Sequence, residues 1–208
     1  MAAPRARAEI TRHPMGLPAG SVRAVLAVAI AALFWTILLL PESWNIPVPL
    51  FLYFLSIMVL LFFFGHGKSI GSPEERPPWG LPRGTFRVII VVGTIAGIAL
   101  HYYLHREHVW RRLQPDVDQL RAQWLYLVIA LLGGLGSGWL IGRGPWRRSA
   151  VFQDLQAWVS LLAMLGLVVE MIIVLFINPN LGSDLKLNLT IWESVLTAIV
   201  AWYFGSRS

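Results

Sequence analysis

The sequence predicts an all-α, polytopic membrane bundle of about six transmembrane helices, built as three repeated hairpins with both ends in the cytoplasm. Three observations predict it. The 208 residues are 56% apolar and only 13% charged, with a mean hydropathy of +0.63, whereas soluble domains carry about 25% charged residues. The apolar residues are gathered into long runs, and about 20 largely apolar residues suffice to cross the hydrocarbon core. Lysines and arginines flank these runs unevenly.

The runs place spans at residues 23–40, 48–64, 87–104, 124–141, 157–177 and 187–204, within one membrane domain over 1–208. Pro41-Glu42-Ser43 closes the first, and Ser72 to Pro78 separates the second from the third. The stretch Arg111–Gln123 lies before the fourth, where an interfacial helix starting near Pro115 and Asp116 is expected. Asn178-Pro179-Asn180 ends the fifth, because proline cannot continue a helix and restrains the residue before it. The first run, Ala24–Leu40, exceeds the usual signal-peptide core and has no small-x-small cleavage site, so it reads as a retained span.

Of the 17 lysines and arginines, twelve fall on one side of these spans: Arg5, Arg7, Arg12, Arg23, Lys68, Arg76, Arg83, Arg87, Arg143, Arg147, Arg148 and Arg207. Five fall on the other: Arg106, Arg111, Arg112, Arg121 and Lys186. The excess marks the cytoplasmic side. A net charge of +6 therefore points to anionic lipid rather than nucleic acid. Tryptophans near the span ends, among them Trp35, Trp110, Trp139 and Trp202, fit an aromatic belt. The chain has no cysteine, which excludes disulfides, thiolate metal sites and cysteine nucleophiles.

An internal repeat organises the chain. Residues 16–28 read GLPAGSVRAVLAV and residues 80–92 read GLPRGTFRVIIVV, with six of thirteen positions identical. The even spans close alike, with bulky apolar residues, a glycine and a polar tail at 62–69, 139–146 and 202–208. The repeating unit is a hairpin, at about residues 16–70, 80–145 and 148–208. In the third copy Arg147-Arg148-Ser149 replaces the entry motif. Pro and Gly set a turn, Ser21 or Thr85 is expected to cap the new helix by accepting an N–H bond, and Arg23 and Arg87 are expected to anchor on lipid phosphate.

The entry Leu17–Ala24 (LPAGSVRA) and the exit Tyr203–Ser208 (YFGSRS) resemble a recurring hairpin module of uncharacterised bacterial multi-pass membrane proteins. Holin-type hairpins are similar too, although three tandem hairpins depart from their pattern. The resemblance covers only those hairpin ends. It implies a bacterial inner membrane and no activity.

Polar residues inside the runs are the candidates for chemistry. Gly65-His66-Gly67-Lys68-Ser69 is not a phosphate loop, because Phe62 stands where the leading glycine is needed. His101, His105 and His108 share one helical face and are candidate metal or haem ligands; an interfacial patch of amphipathic side chains is the alternative. Glu170 lies deep in its run and Glu193 early in the last one. A carboxylate there costs about 2.5–3.5 kcal/mol on insertion scales. With His101 at the same level, these acids form a candidate ion or proton pathway; the alternative is a pair of bonds holding the bundle together.

Gly93 and Gly97, and then Gly134, Gly138 and Gly142, recur at four-residue spacing, which permits close helix approach. No catalytic set is present, and no cofactor is read from the sequence. The leading expectation is a non-enzymatic structural or assembly subunit whose partners are lipids and further copies or other membrane subunits. An ion, proton or solute transporter or channel is the first alternative. A metal- or haem-binding redox subunit is the second.

Overall fold

The computed structural model describes residues 14–18, 20–41, 48–65, 81–82, 84–105, 110, 113–115, 117–145, 149–181, 187 and 189–206. Among these residues there are six α-helices and no strand: α1 (Ser21–Leu39), α2 (Leu50–Gly65), α3 (Thr85–Leu104), α4 (Val117–Gly142), α5 (Ala150–Ile172) and α6 (Thr190–Ser206). A π-helical turn, Ile173–Ile177, and a 3-10 turn, Asn178–Asn180, prolong α5. α1, α3, α4 and prolonged α5 are long and apolar enough to cross a membrane. α2 and α6 have 16 and 17 residues, about 24 to 26 Å against a hydrocarbon core of about 30 Å.

Each apolar run sits on one helix. α4 and α5 begin well before their runs, because helix formation continues through polar first turns. Thus α4 starts at Val117, just past Pro115, and includes Asp118, Gln119 and Arg121 without a break. The separate interfacial helix expected there is instead the first part of α4.

The repeated entries share one local geometry. Gly20 (φ 80°) and Gly84 (φ 90°) both adopt the left-handed conformation that glycine takes at no steric cost. Each precedes its helix in a tight turn, with Ser21 N–H on the Pro18 carbonyl at 3.1 Å and Thr85 N–H on the Pro82 carbonyl at 3.2 Å. The hydroxyls of Ser21 and Thr85 do not cap by accepting; they donate to those same proline carbonyls, at 2.8 and 2.7 Å. The glycine already occupies the cap position, so the hydroxyl falls inside the helix and points back. In the third copy Ser149 is the cap, its Oγ accepting from Phe152 N–H at 3.4 Å.

The starts of the odd-numbered helices and the ends of the even-numbered ones gather at one end of the bundle. There the Arg23 guanidinium lies over the Phe62 ring, 4.9 Å from its centroid, and Arg87 donates to the Phe63 carbonyl. The two equivalent arginines thus hold the closing turn of α2, where unpaired carbonyls favour a cation. Phe62 in turn meets Phe204 of α6 edge-on, 5.3 Å between centroids. The backbone N–H of Met15 donates to Asp154 of α5 at 2.6 Å, fixing the segment before α1 at this same end.

α1, α2, α5 and α6 supply nearly all of the buried core, with Leu26, Ile30, Phe51, Leu55, Leu167 and Phe204 at its centre. α3 packs chiefly on α1, and α4 chiefly on α6. Consecutive α3 and α4 therefore do not form a packed hairpin, and both leave most of their apolar surface uncovered. The middle hairpin expected from the sequence is therefore not a packed pair among the described residues.

Candidate functional site

Helices α5 and α6 run antiparallel, and their register is fixed at three levels. Gln156 donates to the Ser206 hydroxyl at one end. A side chain at Gly166 would meet Leu196 near the middle. Glu170 and Glu193 face one another at the other end. Small side chains on α5 let the helices approach along a narrow stripe.

That stripe is polar. Of the eight buried polar or charged residues among those described, six lie on these two helices: Gln156, Ser160, Glu170, Glu193, Thr197 and Ser206. The seam has two halves of different character. In the first half no buried side-chain atom lacks a partner among the described residues. Ser160 Oγ donates to the Gln156 carbonyl at 2.7 Å, and Ser206 Oγ donates to the Tyr203 carbonyl at 2.8 Å while accepting from Gln156.

The second half is not satisfied. Glu170 is fully buried, and apart from the facing Glu193 neither of its carboxyl oxygens has a hydrogen-bond partner among the described residues. Glu193 Oε2 and Thr197 Oγ1 are likewise buried without a partner. Thr197 follows Glu193 by one helical turn on the same face, and helical side chains lean toward the N-terminus, here toward Glu193. A threonine hydroxyl in a helix often bonds the carbonyl four residues back; this one does not. Three residues past Glu170 the backbone widens into the π turn, a feature frequent at functional sites.

Both oxygens of Glu170, Oε2 of Glu193 and the Thr197 hydroxyl thus form a buried cluster of oxygens with no outside donor among the described residues. A buried carboxylate needs a proton, a cation or a donor to offset its lost hydration. The set is thus suited to holding protons or a small cation.

The histidines are placed elsewhere. His101 is buried on α3, and its Nδ1 lies 2.9 Å from the Leu38 carbonyl in the last turn of α1. A carbonyl only accepts, so that nitrogen carries the proton and is not available as a ligand. His105 stacks beside it, 4.8 Å between ring centroids, with Nδ1 3.3 Å from the His101 carbonyl. His108 lies outside the described residues. Among the described residues no three His, Asp or Glu side chains converge as a metal site requires. In particular His101 does not join Glu170 and Glu193: it faces α1 from the outer helix α3, whereas the acids face each other between α5 and α6.

The spaced glycines form two seams. Gly134, Gly138 and Gly142 bring α4 against the α6 backbone at Ala198, Trp202 and Ser206, so the two helices run parallel. Gly205 of α6 returns the contact against Leu135. Gly93 and Gly97 on α3 instead lie under the Trp35 indole of α1, whose Nε1 donates to Thr94 Oγ1 at 3.2 Å.

Thr197 and Gln156 escaped the reading of the sequence. The position of Thr197 four residues after Glu193 was the available signal. No protein-family model, curated protein or solved structure matches this chain.

Proposed function

We propose that this chain is a multi-pass protein of a bacterial inner membrane, crossing six times with both ends in the cytoplasm. Its role is non-enzymatic: it is a structural or assembly subunit of a larger membrane complex, made with further copies or other subunits. The charge asymmetry supports the orientation. So does the gathering of Met15, the ends of the even helices and the starts of the odd ones at one end. A cysteine introduced as Leu17→Cys should react with a membrane-impermeant maleimide only after permeabilisation, and Gln114→Cys should react on intact cells; the reverse pattern sinks the orientation.

The outer face of α4 carries the assembly reading. Gly133 and Gly136 lie opposite the seam with α6, with nothing within 4 Å of where a side chain would begin, and Ser137 beside them is exposed. Glycine inside a helix costs about 1 kcal/mol relative to alanine. Lipid chains have no need of such a groove, whereas a partner helix uses small residues to come close. Native mass spectrometry of the gently extracted protein should find an assembly larger than one chain, and Gly133→Leu should shift it to the single chain. A wild-type protein that travels alone ends this reading.

A second reading, favoured by the unsatisfied Glu170–Glu193 pair, is an ion or proton pathway through the same bundle. The two are compatible, because a subunit of an assembly can also carry charge.

A further inference from the structure

We propose that Glu170, Glu193 and Thr197 form a binding site for one small monovalent cation of the sodium class, with a single proton retained on the carboxyl pair. This rests on the ion-pathway reading of the same two acids and gives it a substrate class.

Charge balance comes first. Two carboxylates facing each other in a water-poor interior repel, and either one unpaired is costly. One shared proton with one monovalent cation brings the site to neutrality. It also lets every oxygen act as acceptor or donor.

The ligand set decides the class of cation. Two carboxyl groups and one hydroxyl offer five oxygens, which are the hard donors that alkali and alkaline-earth ions prefer. Calcium takes 6–8 oxygens, and magnesium demands a near-octahedral set and keeps several waters. At Glu170 the backbone carbonyl already accepts from Ile173 N–H, which leaves the side-chain oxygens as the main donors. A compact, singly charged ion suits such a small set.

Thr197 separates this site from a mere pair of acids. Its hydroxyl is fully buried and has no partner among the described residues, and a side chain one turn after Glu193 on a helix leans toward it. A structural acid pair that shares protons has no use for it. An unbonded buried hydroxyl is a cost unless something occupies its lone pairs. Ser56 Oγ on α2 is also buried with no partner among the described residues. The stacking of Phe62 on Phe204 puts it close to the level of Thr197.

The test uses the full chain in detergent or vesicles. Dicyclohexylcarbodiimide reacts with protonated carboxyl groups in apolar surroundings, and peptide mass spectrometry reads which glutamate is modified. Labelling is followed in choline chloride and in sodium chloride at equal ionic strength and one fixed pH. The expected result is modification of Glu170 or Glu193 in choline and its suppression by about tenfold or more in sodium. Thr197→Val should raise the sodium concentration needed for protection by about tenfold, the equivalent of about 1.4 kcal/mol.

Labelling indifferent to sodium and lithium overturns the cation site and leaves a proton-only pair, so the ion-pathway reading survives separately. Protection by calcium or magnesium alone overturns the monovalent assignment. Where the reagent reaches neither acid, the thermal unfolding midpoint decides. Binding to the folded state must raise it with sodium and not with choline, and a midpoint unmoved by sodium overturns the site.

Discussion

The two parallel helix pairs, α1 with α3 and α4 with α6, start from the same sequence device and end as different interfaces. Both use glycines four residues apart. In the second pair the glycines of α4 meet main-chain atoms of α6, and Gly205 answers from the other side. In the first pair the glycines of α3 make a shelf for one large ring, Trp35, which is also tied by its bond to Thr94. Backbone cannot yield without moving a whole helix, whereas an indole can slide. Small-residue spacing therefore reports close approach; what approaches decides how much change the seam tolerates.

The largest effect is expected at Gly138. A methyl group there would fall far inside contact distance of the Trp202 carbonyl and about as near as 2.9 Å to the Ser206 nitrogen. Only separation of α4 from α6 makes room. Gly138→Ala should cost about 3 kcal/mol, the upper part of the range for overpacking. It should appear as a lower thermal unfolding midpoint in detergent and easier proteolysis of α4. A midpoint within a degree of wild type would mean that the main-chain contact does not exist.

The same contrast explains what the sequence revealed. The helices were legible because apolar runs of this length have few other uses. The acids were legible because a carboxylate in such a run demands an explanation. Which helix meets which was not legible: adjacency in the chain suggested α3 with α4, yet four-residue spacing carries no address. Ser21 and Thr85 were read as caps because their residue type favours it, but glycine occupied that position first. Thr197 went unnoticed since a threonine in a helix usually satisfies itself on its own backbone. Its significance lies in a bond it does not make.

A smaller loss is expected where the neighbour is a side chain. An added Cβ at Gly93 would lie 2.5 Å from two atoms of the Trp35 ring. The ring must shift and loosen its bond to Thr94, for a cost of about 1–2 kcal/mol. Trp35→Phe placed beside Gly93→Ala should restore part of it, since the smaller ring leaves the room the methyl needs. No single side-chain change relieves Gly138→Ala in this way, so rescue separates the two kinds of seam more sharply than stability alone.

Gly97 completes the series with the smallest effect and an opposite sign. One turn beyond Gly93 on the same shelf, its added Cβ would meet Trp35 Cδ1 at 3.4 Å, ordinary van der Waals contact. No atom has to move, and alanine is the better helix former by about 1 kcal/mol. Gly97→Ala should therefore leave the unfolding midpoint unchanged or raise it slightly. If it instead damaged the protein as much as Gly138→Ala, α3 would have to sit closer to the α1 backbone than the indole permits. The two pairs would then be one kind of interface.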